Sequence, residues 1–188
     1  VLLHGWEGSA SSLYLLSLGQ LLLEHDFDVV RLNLRDHGDS HHLNSGLFHS
    51  CRIAEVVGAV RELQRQHPGK RLVLAGFSLG GNFCLRVGAR ATAAGIDVSR
   101  IVAVCPVIDP EHTLARLESW RALYREYFVW KWRPSLRKKR EAWPDVYRSL
   151  DDILQLGNLT EMTHRLACGY GGFPSLPDYL RGYALVGQ

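Results

Sequence analysis

The residues best suited to covalent chemistry lie in the pentapeptide Gly76-Phe77-Ser78-Leu79-Gly80. An apolar run at residues 72–75 precedes it and an amphipathic stretch follows, so it is predicted to join a buried strand to a helix. A serine at such a turn adopts a strained backbone conformation that lifts its hydroxyl out of the sheet. Side chains two residues before or after it would collide with the neighbouring strand or helix, which explains both glycines. The pattern therefore predicts a nucleophilic serine at position 78.

The rest of the chain must position this serine, and in its first part short apolar runs alternate with helical patterns. This alternation is typical of a parallel sheet covered by helices on both faces, so the predicted fold class is α/β. Helices are predicted at residues 11–26, 50–66 and 81–94, and strands from residue 1, at 28–34, from residue 72 and at 101–107.

Polar groups follow three of these predicted strands. His4-Gly5-Trp6 comes after the first strand, Asp36 after the second and Ser78 after the third. Functional groups of parallel sheets collect at the carboxyl ends of the strands. These segments are therefore expected at one edge of the sheet.

Four linked motifs resemble the YheT-like branch of the α/β-hydrolase superfamily, and together they span most of the chain. They are His4-Gly5-Trp6-Glu7-Gly8-Ser9, the loop Asn33-Leu34-Arg35-Asp36-His37-Gly38-Asp39-Ser40, Phe48-His49-Ser50, and Gly76-Phe77-Ser78-Leu79-Gly80-Gly81-Asn82.

The resemblance implies an α/β-hydrolase fold in which Ser78 attacks an ester carbonyl. It also implies that the backbone N–H of Trp6 donates to the oxyanion that forms. The general rule for serine elbows adds the N–H of Leu79, the residue after the nucleophile. His4 is expected to orient the oxyanion loop rather than to act as the base. No cofactor is implied.

The resemblance further implies a triad acid in an Asp-Asp-Pro type segment and a histidine in a His-Gly-Gly-His type segment, and neither is present. Asp151-Asp152-Ile153 begins similarly, but residues 144–150 before it are polar and predicted to be helical. We therefore expect a fragment that lacks its first and last strands, with the triad acid and histidine beyond Gln188. The fragment itself is expected to be inactive, because both of these groups are absent from it. Residues 1–110 would then be a partial hydrolase core and residues 111–188 a helical cap region.

Asp109 follows the fourth predicted strand, where some α/β-hydrolases carry their triad acid. An aspartate before a proline is also a common turn former, and this second interpretation is favoured. Asp109 is therefore not assigned to the catalytic site. If it were the acid, His37, His49 or His112 would have to be considered as its partner.

The predicted cap contains several aromatic residues at helical spacing. A cap would exclude water from the serine and shape an acyl pocket. The same spacing fits residues that simply pack a helix against the sheet, and both interpretations stay open. The residues concerned are Trp120, Leu123, Tyr124, Tyr127 and Phe128.

A basic run follows these aromatic residues. It could contact a phospholipid headgroup or an anionic membrane surface. A solvated helix face is the default interpretation of such a run. Its members are Lys131, Arg133, Arg137, Lys138, Lys139 and Arg140.

The loop after the second strand holds potential metal ligands. We predict no metal site, because ligands need convergent geometry that a loop broken by Gly38 does not provide. Its polar groups are expected to satisfy backbone groups and to shape the floor of the active site. The residues concerned are Asp36, His37, Asp39, His41 and His42.

Composition limits the remaining possibilities. The 188 residues are 46% hydrophobic, enough for one sizeable core, and a net charge of +3 is too small to indicate a nucleic-acid partner. No apolar run reaches the roughly 18 residues of a membrane span. The four cysteines contain no Cys-x-x-Cys pair, which favours reduced thiols and a cytoplasmic protein.

Three function classes remain. The first is a serine hydrolase that cleaves carboxylic esters, acylglycerols or similar acyl esters. The second is an acyltransferase, in which an alcohol instead of water attacks the same acyl-enzyme. The third is a non-catalytic binding module on the hydrolase fold.

Overall fold

The computed structural model describes residues 1–119 and 121–187, without the side chains of residues 121 and 122. Trp120, one of the aromatic residues of the predicted cap, lies outside this part. The chain forms two compact units. The first consists of Val1–Leu34 and Arg52–Val107, and the second of Arg35–Cys51 and Ile108–Gln188. The domain boundary at residue 110 stays a prediction from sequence.

The first unit contains a four-stranded sheet in which every pair of neighbouring strands is parallel. The strand order is β2-β1-β3-β4. This confirms the predicted fold class. The strands are β1 (Leu2–Leu3), β2 (Arg31–Leu32), β3 (Leu72–Phe77) and β4 (Val98–Val104).

Three helices of the first unit connect these strands, as their periodicity predicts. Helix α2 buries Val56 and Val60, which lie on its predicted apolar side. Helix α3 is buried along almost its whole length, including Phe83 and Val87. The helices are α1 (Leu13–Leu23), α2 (Ile53–Gln66) and α3 (Leu79–Gly88).

Most of these elements differ from the sequence prediction in their boundaries. Helix α1 spans Leu13–Leu23 instead of residues 11–26, α2 begins at Ile53 instead of residue 50, β2 spans only Arg31–Leu32 instead of residues 28–34, and β4 begins at Val98 instead of residue 101. Strand β4 ends at Val104 instead of residue 107, because Cys105 has a φ of 45° and Pro106 has no N–H for the ladder. Helix α3 begins at Leu79 instead of residue 81 and ends at Gly88 instead of residue 94. The residues after it form turns that end at Gly95, whose φ is 68°.

The second unit is helical and packs around Ala167, Tyr179 and Leu180. Its helix α7 has the expected polar cap, since the Asn158 side chain accepts the Glu161 N–H at 2.8 Å. No helix in the described part of the chain is both long enough and apolar enough to cross a membrane. The helices are α4 (Pro110–Ser119), α5 (Arg121–Ala142), α6 (Leu150–Leu154), α7 (Leu159–Gly169) and α8 (Leu176–Arg181).

Candidate active site

Ser78 lies at the junction between β3 and α3 with a φ of 52° and a ψ of −116°. Both backbone groups of this strained residue are held. Its N–H donates to the Val104 carbonyl at 2.9 Å, and its carbonyl accepts the N–H groups of Asn82 at 3.1 Å and Val107 at 3.4 Å. The residue is exposed. This is the backbone geometry that the serine elbow requires.

The glycines around Ser78 allow close backbone packing. A Cβ atom on Gly76 would lie 2.3 Å from the Gly80 carbonyl oxygen, and one on Gly80 would lie 2.4 Å from the His4 carbonyl oxygen. Neither neighbour is the end of a flexible side chain that could move away. The distances confirm the role predicted for the two glycines and bring the start of α3 against the end of β1.

The loop after β1 passes beside Ser78. A Cβ atom on Gly5 would lie 3.4 Å from both the Ser78 Cβ atom and the Phe77 carbonyl oxygen. Trp6 is the next residue of this loop, and it is half-buried. Leu79 opens α3, so its N–H belongs to the first turn, which has no acceptor within the helix. The oxyanion roles of the Trp6 and Leu79 amides stay predictions.

His4 is fully buried at the end of β1, and both of its ring nitrogens contact backbone groups. The Leu34 N–H donates to Nε2 at 3.1 Å, so the proton of the neutral ring is on Nδ1, which lies 2.7 Å from the Gly5 carbonyl oxygen. Burial lowers the pKa of His4, with the contact to Gly5 opposing the change. These contacts agree with an orienting role for His4 rather than with general base catalysis.

Asn82 and Arg86 form a buried polar pair on α3, behind the serine. The Asn82 side-chain amide donates to the Val107 carbonyl at 2.8 Å, and Arg86 donates to the Asn82 Oδ1 atom at 3.2 Å. Arg86 also lies over the Phe83 ring. Sequence reasoning quoted Asn82 in the motif without giving it a role and missed Arg86. The available signal was two polar residues four positions apart in an otherwise apolar helix.

In the second unit, the loop after β2 is held by a buried ion pair. The Asp36 carboxylate accepts from Lys139 Nζ at 2.8 Å and from the Phe48 N–H at 2.7 Å. Lys139 also donates to the carbonyls of Asn44 at 2.6 Å and Gly46 at 3.0 Å. Asp36, a potential metal ligand of this loop, therefore binds a backbone N–H and a lysine, as expected for a loop whose polar groups satisfy its backbone.

The histidines of this loop have partners of their own. His37 Nδ1 lies 2.7 Å from the Arg35 carbonyl oxygen, and His41 Nε2 lies 2.9 Å from the Ser135 hydroxyl. Across the described residues, no three His, Cys, Asp or Glu side chains are grouped so that they could hold a metal ion.

Asp109 and Asp151 occupy helix positions in the second unit. The Asp109 carboxylate accepts the His112 N–H at 3.0 Å at the start of α4, as the turn-former interpretation predicts. Asp151 lies in α6 and pairs with Arg140, which agrees with the prediction that this segment is not a strand. Residues 144–149 before it form turns rather than the predicted helix.

The basic run of α5 is divided between internal contacts and the surface. Lys139 is buried against Asp36, Arg133 donates to the Leu156 carbonyl at 3.0 Å, and Lys138 pairs with the exposed Asp39 at 3.2 Å. Arg137 is exposed on the outer face of the same helix. The run therefore serves partly to hold the second unit together.

Comparison with known proteins agrees with this geometry. A family model described as alpha/beta hydrolase fold matches residues 1–170, which is most of the chain. A search of curated proteins and a search of solved structures each found no match. The chain belongs to the α/β-hydrolase fold family.

Proposed function

We propose that the protein is a serine hydrolase of the YheT-like branch that cleaves carboxylic esters, with Ser78 as its nucleophile. The observation that carries the proposal is the backbone of Ser78, which has a positive φ at a strand-to-helix junction in an exposed position. Strained non-glycine residues of this kind cluster at functional sites, because the surrounding structure must hold them in place. Here three backbone hydrogen bonds do so.

The proposed reaction has two symmetrical halves. Ser78 Oγ attacks the ester carbonyl carbon, and its proton passes to a histidine base that we assign to no residue of this chain. The carbonyl oxygen becomes an oxyanion that accepts from the N–H groups of Trp6 and Leu79. Collapse of this intermediate expels the alcohol, which takes the proton. Water then attacks the acyl-enzyme in the same way and releases the acid.

The packing around Ser78 supports the assignment of these two amides. The Leu79 N–H is at the amino end of α3, where the helix dipole favours negative charge. The Gly5-Trp6 peptide is next to the serine, because a Cβ atom added to Gly5 would be in van der Waals contact with the Ser78 Cβ atom. Each donor is expected to lower the barrier by about 3 kcal/mol, judged from the usual cost of deleting one.

The substrate class follows from the family resemblance, which favours acylglycerols or similar acyl esters. A cytoplasmic location is also part of the proposal. It is supported by the free thiols of Cys51, Cys84, Cys105 and Cys168. Burial raises the pKa of the Cys84 thiol to about 12, so this thiol stays protonated at neutral pH.

We further propose that the outward face of α5 makes peripheral contact with membranes. Leu123, Tyr127 and Trp130 recur at helical spacing on this helix and are all exposed. Arg137 continues the same face with a positive charge. Exposed aromatic residues beside basic ones are typical of helices that lie on anionic bilayers.

The test of the esterase proposal is covalent labelling of the natural full-length protein with a fluorophosphonate probe, followed by peptide mapping. We expect the label on Ser78, hydrolysis of p-nitrophenyl butyrate, and loss of both in Ser78→Ala. Ser11→Ala is the matched control, because Ser11 is exposed and far along the chain from the elbow. Label on another serine, or an active Ser78→Ala, would contradict the proposal. Added glycerol distinguishes transfer from hydrolysis through the ratio of ester to acid formed.

A further inference from the structure

Tyr14, the second residue of α1, contacts both segments of the candidate site. Its hydroxyl accepts the Gly5 N–H at 3.0 Å. Its ring packs on Phe77, the residue before the serine, with the ring centroids 4.9 Å apart. One side chain therefore contacts the loop after β1 and the end of β3. Nothing in the sequence pattern singled it out.

The hydroxyl of Tyr14 lies inside the turn that carries Trp6. The Gly8 N–H donates to the Gly5 carbonyl at 3.0 Å and closes this turn, in which Glu7 has a φ of 55°. A Cβ atom on Gly8 would lie 2.9 Å from the Tyr14 hydroxyl oxygen. A substituent on either glycine of the turn would therefore meet the phenol, so the turn is shaped around it.

The same hydroxyl lies near Ser78. A Cβ atom on Gly5 would be 3.8 Å from the Tyr14 hydroxyl oxygen and 3.4 Å from the Ser78 Cβ atom. The phenol oxygen and the serine side chain therefore approach the same small volume from two sides. Because Gly5 carries no side chain, that volume is left open.

The hydrogen-bonding capacity of Tyr14 is only half used. A phenol can accept and also donate one hydrogen bond. The Gly5 N–H uses the acceptor side, while none of the residues that the structure describes accepts the O–H. Tyr14 as a whole is 40% exposed, so part of its side chain is open to a bound molecule.

We propose that the Tyr14 hydroxyl is a third oxyanion donor, a side-chain group that acts beside the backbone amides of Trp6 and Leu79. This inference rests on the esterase function proposed above. The Gly5 N–H holds the phenol oxygen in place, and the O–H donates to the carbonyl oxygen as negative charge develops there. Tyr14 is then a catalytic residue, because it touches the reacting group.

The experiment compares Tyr14→Phe with Tyr170→Phe in p-nitrophenyl butyrate hydrolysis. Phenylalanine keeps the ring on Phe77 and removes only the hydroxyl. We expect kcat to fall about 100-fold with little change in KM, and inactivation by the fluorophosphonate probe to slow similarly, because a donor of this kind acts on developing charge. Tyr170 is a half-buried tyrosine of the second unit that packs on Tyr147 and has no role in the proposed site, so its variant should match the wild type.

Two results would overturn the inference. One is a kcat in Tyr14→Phe within twofold of the wild type. The other is a lower kcat that is fully explained by a smaller fraction of enzyme titrated by the probe, which would indicate a structural role. If the wild type neither reacts with the probe at Ser78 nor hydrolyses the ester, the proposed function fails and this inference with it.

A second substitution keeps the test decisive if Tyr14→Phe does not fold. Replacing Tyr14 by 3-fluorotyrosine retains the hydroxyl but makes the phenol lose its proton at lower pH. A phenolate cannot donate, so the alkaline loss of kcat should move to lower pH. An alkaline limb identical to that of the wild type would contradict the donor role.

Discussion

Two segments that follow strands of the parallel sheet are held by opposite means. The turn at Ser78 is held by backbone hydrogen bonds and by glycines packed directly on neighbouring backbone. The loop in residues 35–51 is held by buried side chains, with Lys139 joining Asp36 to two loop carbonyls. The first segment has no space for an added methyl group, and the second cannot lose a charge. The two should therefore respond to different kinds of substitution.

The largest effect is expected from Lys139→Ala. The Lys139 and Asp36 side chains are only 1% and 5% exposed, so the change leaves a buried carboxylate without its counter-charge. The free energy of unfolding should fall by about 3–5 kcal/mol in urea titrations. Lys138→Ala is the matched control from the adjacent position. Its partner Asp39 is 98% exposed, so stability should hardly change.

Combining Asp36→Asn with Lys139→Met sharpens this prediction. The pair removes both charges together, so most of the loss in the single variant should be recovered. A double variant as unstable as Lys139→Ala alone would show that the lysine acts through its loop carbonyls rather than through Asp36.

A slightly smaller loss of stability is expected when a methyl group is added to the turn at Ser78. In Gly80→Ala the new Cβ atom would overlap the carbonyl groups of Leu3 and His4, which belong to the backbone. Stability should fall by about 3 kcal/mol, and labelling at Ser78 should be lost. Gly58→Ala is the control, since Gly58 lies in α2 with nothing within 4 Å of the new atom. It should stabilise the protein by about 0.5–1 kcal/mol. If Gly80→Ala and Gly58→Ala changed the stability equally, the turn at Ser78 would not be tightly packed.

The region around Ser78 is held mainly by backbone groups, but His4 contributes through a buried side chain. Its contribution to stability can be tested by varying the pH. Burial lowers its pKa in the folded protein, so the unfolded chain takes up the proton more readily. Stability from the neutral ring is therefore present above the ordinary histidine pKa of about 6.5 and is lost as pH falls below it. Unfolding measured from pH 7.5 to 5 should be less pH-dependent in His4→Gln. The exposed His67→Gln should keep the slope of the wild type, and an unchanged slope in His4→Gln would contradict the prediction.

The smallest effect concerns two cations of α5, the half-buried Lys131 and the exposed Arg137. Lys131→Glu with Arg137→Glu should weaken binding to phosphatidylserine-containing vesicles, by about 1 kcal/mol for each basic residue lost. This binding is measured by co-sedimentation of the protein with the vesicles. Arg61→Glu with Arg71→Glu makes the same change of charge on the first unit and serves as the control. If the wild type and both double variants bind the vesicles equally, the proposed membrane contact is contradicted and the basic run is a solvated helix face.

Local signals explain what could be predicted from sequence. The glycines around Ser78 impose the turn by themselves, and His67-Pro68-Gly69 ends α2 where predicted, at Gln66. Asp109 before Pro110 indicates a helix start from adjacent residues alone.

The remaining features depend on residues distant in the chain. The end of β4 depends on the Cys105 backbone and on pairing with β3, which periodicity does not contain. Lys139 was grouped with surface cations because its partner Asp36 lies 103 positions away. Tyr14 escaped notice for the same reason, since its role depends on Gly5 and Phe77, which belong to different strands and loops.

The separation of Asp36 and Lys139 also has a consequence for synthesis. At typical ribosomal rates of about 5–20 residues per second, the 103 positions that separate Lys139 from Asp36 take on the order of 5 to 20 s to make. During that time the loop at residues 35–51 has no cation to fold around, and burying its carboxylate would be unfavourable. The first unit can begin to fold once Val107 has emerged, while this loop waits for the end of α5. Folding on the ribosome should therefore complete the serine turn before the loop that follows β2, although the loop is made first.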